Sequence, residues 1–288
     1  MKNIIIIGNS AAGVACAKAI RENDKESKIT IVSAEARPAY LRHQLLDFLH
    51  GRIKESALFS PFQDFHTNNS IELLLDRRIV NIDEKKRRIY FKDSGYLDFE
   101  ILVLACGRMP QLPEIKGITK KGVFSLYYFD DVKAIIETLP IAHTACVIGS
   151  GKIASEVVTF LCENKVDTKW FTKEIPAEPH EHLEVISDSQ VNEILGNGDA
   201  KAVRLSNNKV IGANIVVFTD ALAPNIDLVK ETSLARDKGI LVDQNMATNV
   251  LNIFAAGDAA QFNDREKQYS WIEAEQEGIT AGRSICQI

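Results

Sequence analysis

The sequence predicts an α/β protein built from two parallel-sheet domains, and three observations predict it. An apolar run, Ile4-Ile5-Ile6-Ile7, feeds the turn Gly8-Asn9-Ser10-Ala11-Ala12-Gly13. A second run, Cys146-Val147-Ile148, feeds Gly149-Ser150-Gly151-Lys152-Ile153-Ala154-Ser155-Glu156. The strand-like segments that follow each turn then come in the same order. A short run that is apolar throughout suits a strand buried on both faces, which is what a parallel sheet with helical crossovers provides. Each turn needs glycine and opens a helix whose first N–H groups face outward, a setting for a pyrophosphate. Each half therefore reads as a Rossmann-like dinucleotide-binding domain, and two dinucleotides in one chain point to electron transfer between them.

The first helix is expected from Gly13 to about Glu22, and residues 28–33 form the second parallel strand, which ends at Glu35 and completes a βαβ unit. Strands follow at 78–83, 88–92 and 99–105, separated by turns at 84–87 and at Ser94-Gly95. The second half repeats the phrase at 191–194, 202–205 and 213–218, with turns at Gly196-Asn197-Gly198-Asp199 and Asn207-Asn208. Residues 252–258 form a short apolar strand ending in Gly257-Asp258, and a helix from near Trp271 runs through Ala274, Gly278 and Ala281. A carboxylate at the carboxyl end of a parallel strand lies on the ligand edge of the sheet, so this tail returns to the first domain. The first domain is thus discontinuous, 1–110 and 237–288, with the second inserted as 111–236.

Composition narrows the function classes. A chain of 288 residues, 45% hydrophobic and 25% charged, can bury two cores and resembles ordinary soluble enzymes. The net charge of −5 argues against a nucleic-acid platform, and the basic pairs at Arg77-Arg78 and 85–88 read as solvated strand ends and a turn. The five cysteines (Cys16, Cys106, Cys146, Cys162, Cys286) are scattered through apolar patterns without a Cys-x-x-Cys pair, which suits buried thiols in a reducing cytoplasm. No apolar stretch approaches the ~20 residues of a membrane span, and no signal peptide is recognisable at the N-terminus.

Two cradles, Glu35, Ala105-Cys106-Gly107 and Ala256-Gly257-Asp258, in that order, resemble the two-dinucleotide-binding-domain flavoproteins, the pyridine nucleotide-disulfide oxidoreductase superfamily. Within it the chain is most similar to NADH-dependent rubredoxin and ferredoxin reductases and to the flavin domain of assimilatory nitrite reductase, over nearly its whole length. The resemblance implies that the first domain binds FAD and the second NAD(P)H, with electrons passing from the nicotinamide through flavin to a small redox protein. It implies that Gly8, Ser10, Ala11, Ala12 and Gly13 wrap the FAD pyrophosphate, with Ser10 in place of the usual middle glycine. Glu35 would accept from the adenosine ribose, and Asp258, beside Gly257, from the ribityl chain. Ile79, Ala105, Cys106 and Gly107 join these cofactor contacts, Cys106 as a small buried side chain rather than a redox thiol. Arg42, in Arg37-Pro38-Ala39-Tyr40-Leu41-Arg42, is either a phosphate or flavin contact or an exposed arginine. Trp271 packs near the isoalloxazine or fills the core at a helix start. His43 stands where related NADH oxidases and CoA-disulfide reductases carry a redox cysteine. In the second cradle Gly149, Gly151, Ile153 and Glu156 are the nicotinamide dinucleotide contacts.

The second domain departs from that pattern. Only residues 172–182, with Pro176 and Pro179, separate its second strand from the next at 183–186, too short a stretch for the usual helical crossover. The acidic ribose position falls near Thr172, followed by Lys173; Lys152 replaces an aromatic residue, and Ala221 and Ala223 replace Gly and Arg. His180-Glu181-His182 reads as loop rather than metal site. No interface domain follows the last helix, so a monomer or an unfamiliar assembly is expected. Two functions stay open: an NAD(P)H-dependent flavoenzyme, or an FAD-binding electron-transfer or structural subunit whose nicotinamide site is degenerate.

Overall fold

The computed structural model describes all residues except 175, 177–179, 221 and 265, so Pro179 and Ala221 lie outside the described residues. The chain divides into two compact units: Met1–Leu41, Phe59–Met109 and Ala223–Ile288 make one, and Arg42–Leu58 with Pro110–Leu222 make the other.

The first unit is organised around a five-stranded, all-parallel sheet in the order Ile253–Ala255, Ile101–Leu104, Asn3–Ile7, Lys28–Val32, Ile71–Leu74. Ile4, Ile6, Ile31 and Leu104 are wholly buried, as the apolar runs demand. Burying side chains of this size contributes about 1.5–3 kcal/mol each, which fixes the register. Helix Ala11–Asn23 follows the first strand, and helix Trp271–Ile285 packs along it. That packing is close because both surfaces are small: a Cβ on Gly282 would stand 2.7 Å from the Cβ of Ala19 and from the Cys16 carbonyl oxygen. An antiparallel sheet, Ile79–Asp83, Arg88–Phe91 and Tyr96–Asp98, completes the unit's main β-structure.

The second unit repeats both parts. Its parallel sheet runs Leu183–Ile186, Asp167–Phe171, Thr144–Ile148, Ile215–Phe218, Val123–Phe124, and its antiparallel sheet is Val191–Leu195, Ala202–Leu205, Val210–Gly212. The described residues between Phe171 and Leu183 form bends and a turn but no helix. Leu183–Ile186 nevertheless pairs in parallel beside Asp167–Phe171, reached by this short connection. Each antiparallel sheet gains a third, three-residue strand that the sequence pattern did not reveal, since Tyr96 and Val210 are about half exposed and carry no apolar alternation.

Candidate functional site

The first cradle is shaped by backbone packing. A Cβ on Gly8 would stand 2.1 Å from the Ala105 carbonyl oxygen, and one on Gly13 would stand 2.0 Å from that of Gly8. Glycine is therefore required at both places, and it brings the turn onto the neighbouring strand. Ser10 caps helix Ala11–Asn23 in an extended conformation with no side-chain hydrogen bond, and no acidic residue occupies the first turn. A helix start carries N–H groups without intrahelical partners and a positive end of the dipole, so this one is disposed toward an anion. Asn9 adds a second sign: its Oδ1 lies 3.2 Å from His66 Nε2, while its Nδ2 is buried with no partner. Burial lowers the His66 pKa below its ordinary value, which keeps the ring neutral.

At the end of strand Lys28–Val32 the Ser33 hydroxyl accepts from the Glu35 N–H at 3.1 Å, and Tyr40 donates its hydroxyl to Glu35 Oε2 at 2.8 Å. A phenol fixes this carboxylate, a partner the sequence reading passed over. On the far side of the sheet Asp258 Oδ2 accepts from Arg108 Nε at 2.9 Å, and the Arg108 guanidinium lies 4.3 Å over the Tyr269 ring. Arg108 was also missed, although its place directly after Gly107 was a signal. Gly257 has φ +71, and its N–H donates to Glu277 Oε2 at 2.9 Å. Lys267 Nζ donates to the Gly257 carbonyl at 3.0 Å and pairs with the Glu277 carboxylate. Burial pushes the Glu277 carboxyl above the usual range against the pull of this lysine. Ala105 is buried, and the half-buried Cys106 thiol donates to the Asn225 carbonyl at 3.1 Å with its pKa pushed up to about 12 by desolvation, so it is not a thiolate at neutral pH. Ile79 is buried at the start of its antiparallel strand. Trp271 opens the last helix, its indole N–H donating to Glu275 at 2.8 Å and its ring 6.3 Å from that of Phe62.

Arg42 belongs to the second unit, where it donates to the Tyr127 carbonyl at 2.6 Å and stacks 4.5 Å over the Tyr127 ring.

The second cradle has the same frame. Gly8 N–H donates to the Val32 carbonyl at 2.8 Å and Gly149 N–H to the Phe171 carbonyl at 3.2 Å, while Ile7 pairs with Val32 and Ile148 with Phe171. Strand ends correspond, so Thr172 answers to Ser33 and Glu174 to Glu35. The Glu174 N–H donates to Thr172 Oγ1 at 3.1 Å, as Glu35 does to Ser33. The residue that corresponds to Glu35 is therefore Glu174, two places beyond Thr172. Both Glu174 oxygens accept from the Gly151 N–H at 3.0 Å, and Asp220 Oδ1 accepts from the Ser150 N–H at 2.8 Å. Gly151 takes φ +78 with open space where a Cβ would go, and Ile153 stands partly exposed in the first turn of helix Gly151–Glu163. Glu156 lies 3.0 Å from His50 Nε2 and 3.4 Å from Arg52 Nη2, neither of which the sequence singled out. His182 Nδ1 lies 2.9 Å from Asp167 Oδ1 at the base of the sheet.

Comparisons with known proteins agree with this geometry. Residues 2–278 match the family model described as pyridine nucleotide-disulphide oxidoreductase. The chain is 26% identical over 310 residues to apoptosis-inducing factor 3 of Homo sapiens, covering 98% of this chain but 50% of that protein, so it spans about half that relative's length. It is 27% identical over 316 residues to an NADH oxidase of Methanocaldococcus jannaschii, covering 99% and 70%. Among solved structures, the covalent putidaredoxin reductase–putidaredoxin complex superposes with a TM-score of 0.87 at 22% identity, over 99% of this chain and 75% of that one, a likeness of fold. With two matching cradles and a family match over nearly its whole length, the chain belongs to the pyridine nucleotide-disulphide oxidoreductase family.

Proposed function

We propose that this protein is an FAD-dependent oxidoreductase that draws electrons from NAD(P)H and passes them to a small redox protein of the rubredoxin or ferredoxin kind. The carrying observation is the repetition of one cradle in two units, each with an acidic residue three positions past the end of its second strand, Glu35 and Glu174. On this reading the unit built from 1–41, 59–109 and 223–288 holds FAD, and the unit built from 42–58 and 110–222 holds the nicotinamide dinucleotide. Bound FAD would supply the chemistry, accepting a hydride equivalent and releasing its electrons to the acceptor. The protein's part is binding and orientation. The start of helix Ala11–Asn23 faces the pyrophosphate, Asn9 Nδ2 gains a partner, Glu35 accepts from the ribose, and Asp258, held by Arg108, accepts from the ribityl hydroxyls. An acidic Glu174 favours an unphosphorylated ribose, hence NADH over NADPH. A redox-protein acceptor is supported by the putidaredoxin complex of the similar reductase. Five free thiols support a reducing compartment, the cytoplasm, and no helix among the described residues is long and apolar enough to cross a membrane.

A second reading, an FAD-binding electron-transfer or structural subunit, is favoured by the carboxylates already seated on Ser150 and Gly151. Anaerobic mixing of the flavin-loaded protein with NADH and with NADPH, followed by flavin bleaching, separates the two. Bleaching by NADH supports the enzyme; bleaching by dithionite alone supports the subunit. Gly151→Val, which puts a branched side chain into the open space beside the phosphate-facing N–H, is expected to abolish NADH-driven bleaching while FAD stays bound.

A further inference from the structure

The two cradles differ at the position that follows their central strands. Ala105 N–H donates to the Ile7 carbonyl and Thr219 N–H to the Ile148 carbonyl, so Cys106 and Asp220 occupy equivalent places past the central strands. In the first cradle that place holds a neutral thiol turned to the Asn225 carbonyl. In the second it holds a carboxylate on the Ser150 N–H at 2.8 Å, packed so closely on the glycine turn that a Cβ on Gly149 would stand 2.7 Å from Asp220 Oδ1. Thr219 anchors this carboxylate, its N–H donating to Ile148 at 2.9 Å. Glu174 covers the next donor, Gly151, but from the end of a longer side chain.

We infer that Asp220 sets the affinity of the second cradle for dinucleotides: it holds the Ser150 N–H and opposes the incoming phosphates by like charge, whereas the Gly151 N–H is a donor that opens when Glu174 turns away. This rests on the proposed nicotinamide reading and goes beyond it by assigning weak binding to one side chain. Glu174 is a gate that a dinucleotide displaces, whereas Asp220 is a fixture that it must tolerate. A unit charge a few ångströms from a phosphate near a protein surface is worth enough to shift affinity about tenfold.

The test uses the full FAD-loaded chain with NADH as probe, under anaerobic conditions, reading flavin bleaching in wild type, Asp220→Asn and Asp220→Ala. Asparagine keeps the shape and an oxygen acceptor for Ser150 while removing charge, and an unchanged circular dichroism spectrum and melting temperature report that the fold is intact. The expected result is a half-saturating NADH concentration about tenfold lower in Asp220→Asn, with the limiting bleaching rate little changed and the gain shrinking as salt is raised. Equal half-saturation in wild type and both variants overturns the inference while leaving the nicotinamide reading intact. Bleaching in the variants but not in wild type supports the inference and overturns NADH as the native donor. No bleaching in any of the three, with dithionite effective, overturns both.

Discussion

Gly278 lies against the backbone of Ala12: a Cβ built on Gly278 would stand 2.2 Å from the Ala12 carbonyl oxygen. In an isolated helix Gly278→Ala would be favourable by about 1 kcal/mol. Here the obstacle is backbone, which cannot rotate aside, and overpacking of this kind costs about 1–3 kcal/mol. Gly278→Ala is therefore expected to destabilise the protein and, because Ala12 belongs to the cradle, to weaken FAD retention. Urea unfolding checks this; a raised midpoint would show that the helices part without loss.

Glu35→Ala removes the acceptor proposed for the ribose and is expected to weaken FAD binding by about 1.5–3 kcal/mol, the range for hydrogen bonds to charged groups. Tyr40→Phe removes the 2.8 Å bond that orients this carboxylate and is expected to cost less, about 0.5–1.5 kcal/mol. Titration of the apoprotein with FAD measures both, and unchanged affinity in Glu35→Ala would sink the assignment.

His66 supplies a pH dependence. Its pKa is lowered in the folded protein by burial, so below the ordinary histidine value of 6.5 the unfolded chain takes up a proton that the folded one resists. The unfolded state then binds more protons, and stability contributed by neutral His66 is lost as pH falls from that value toward the depressed one. Melting temperatures between pH 7.5 and 5 are expected to fall more steeply in wild type than in His66→Gln. Parallel curves would remove His66 as the cause.

Lys267→Met leaves the Glu277 carboxylate buried without its cation and is expected to destabilise by about 3–5 kcal/mol. Adding Glu277→Gln is expected to recover much of that loss, since an amide oxygen still accepts from Gly257. Chemical denaturation of the single and double variants decides; a single variant as stable as wild type would show the pair contributes nothing.

The strands and cradles were legible because they follow from local rules: unbroken apolar runs make buried strands, and glycine marks where backbone meets backbone. Glu35 and Asp258 were legible because their places at strand ends are fixed by the fold. What escaped was made by long-range pairing. Arg108 meets Asp258, His66 meets Asn9 and Asp220 meets Ser150 only after the sheets have formed. Nothing in the neighbouring residues announces such partners. Glu174 escaped for another reason: the stretch from the glycine turn to the end of the second strand is two residues shorter in the second unit, Gly149 to Phe171 against Gly8 to Val32, so its correspondence with Glu35 shows only in the strand pairing.

The division of the chain also orders its birth on the ribosome. The unit spanning residues 42–58 and 110–222 has all its strands once Phe218 is made, whereas the other needs Ile253–Ala255 beside Ile101–Leu104, and helix Trp271–Ile285 upon the first helix, before its core closes. The earlier-made part of this unit thus waits for its later neighbours, with the apolar strand Ile101–Leu104 lacking one of its two partners until Ile253–Ala255 is made. Nascent chains halted before Ile253 are expected to be protease-resistant in the inserted unit and cleaved readily in the first, a vectorial maturation in which flavin capture is the final event.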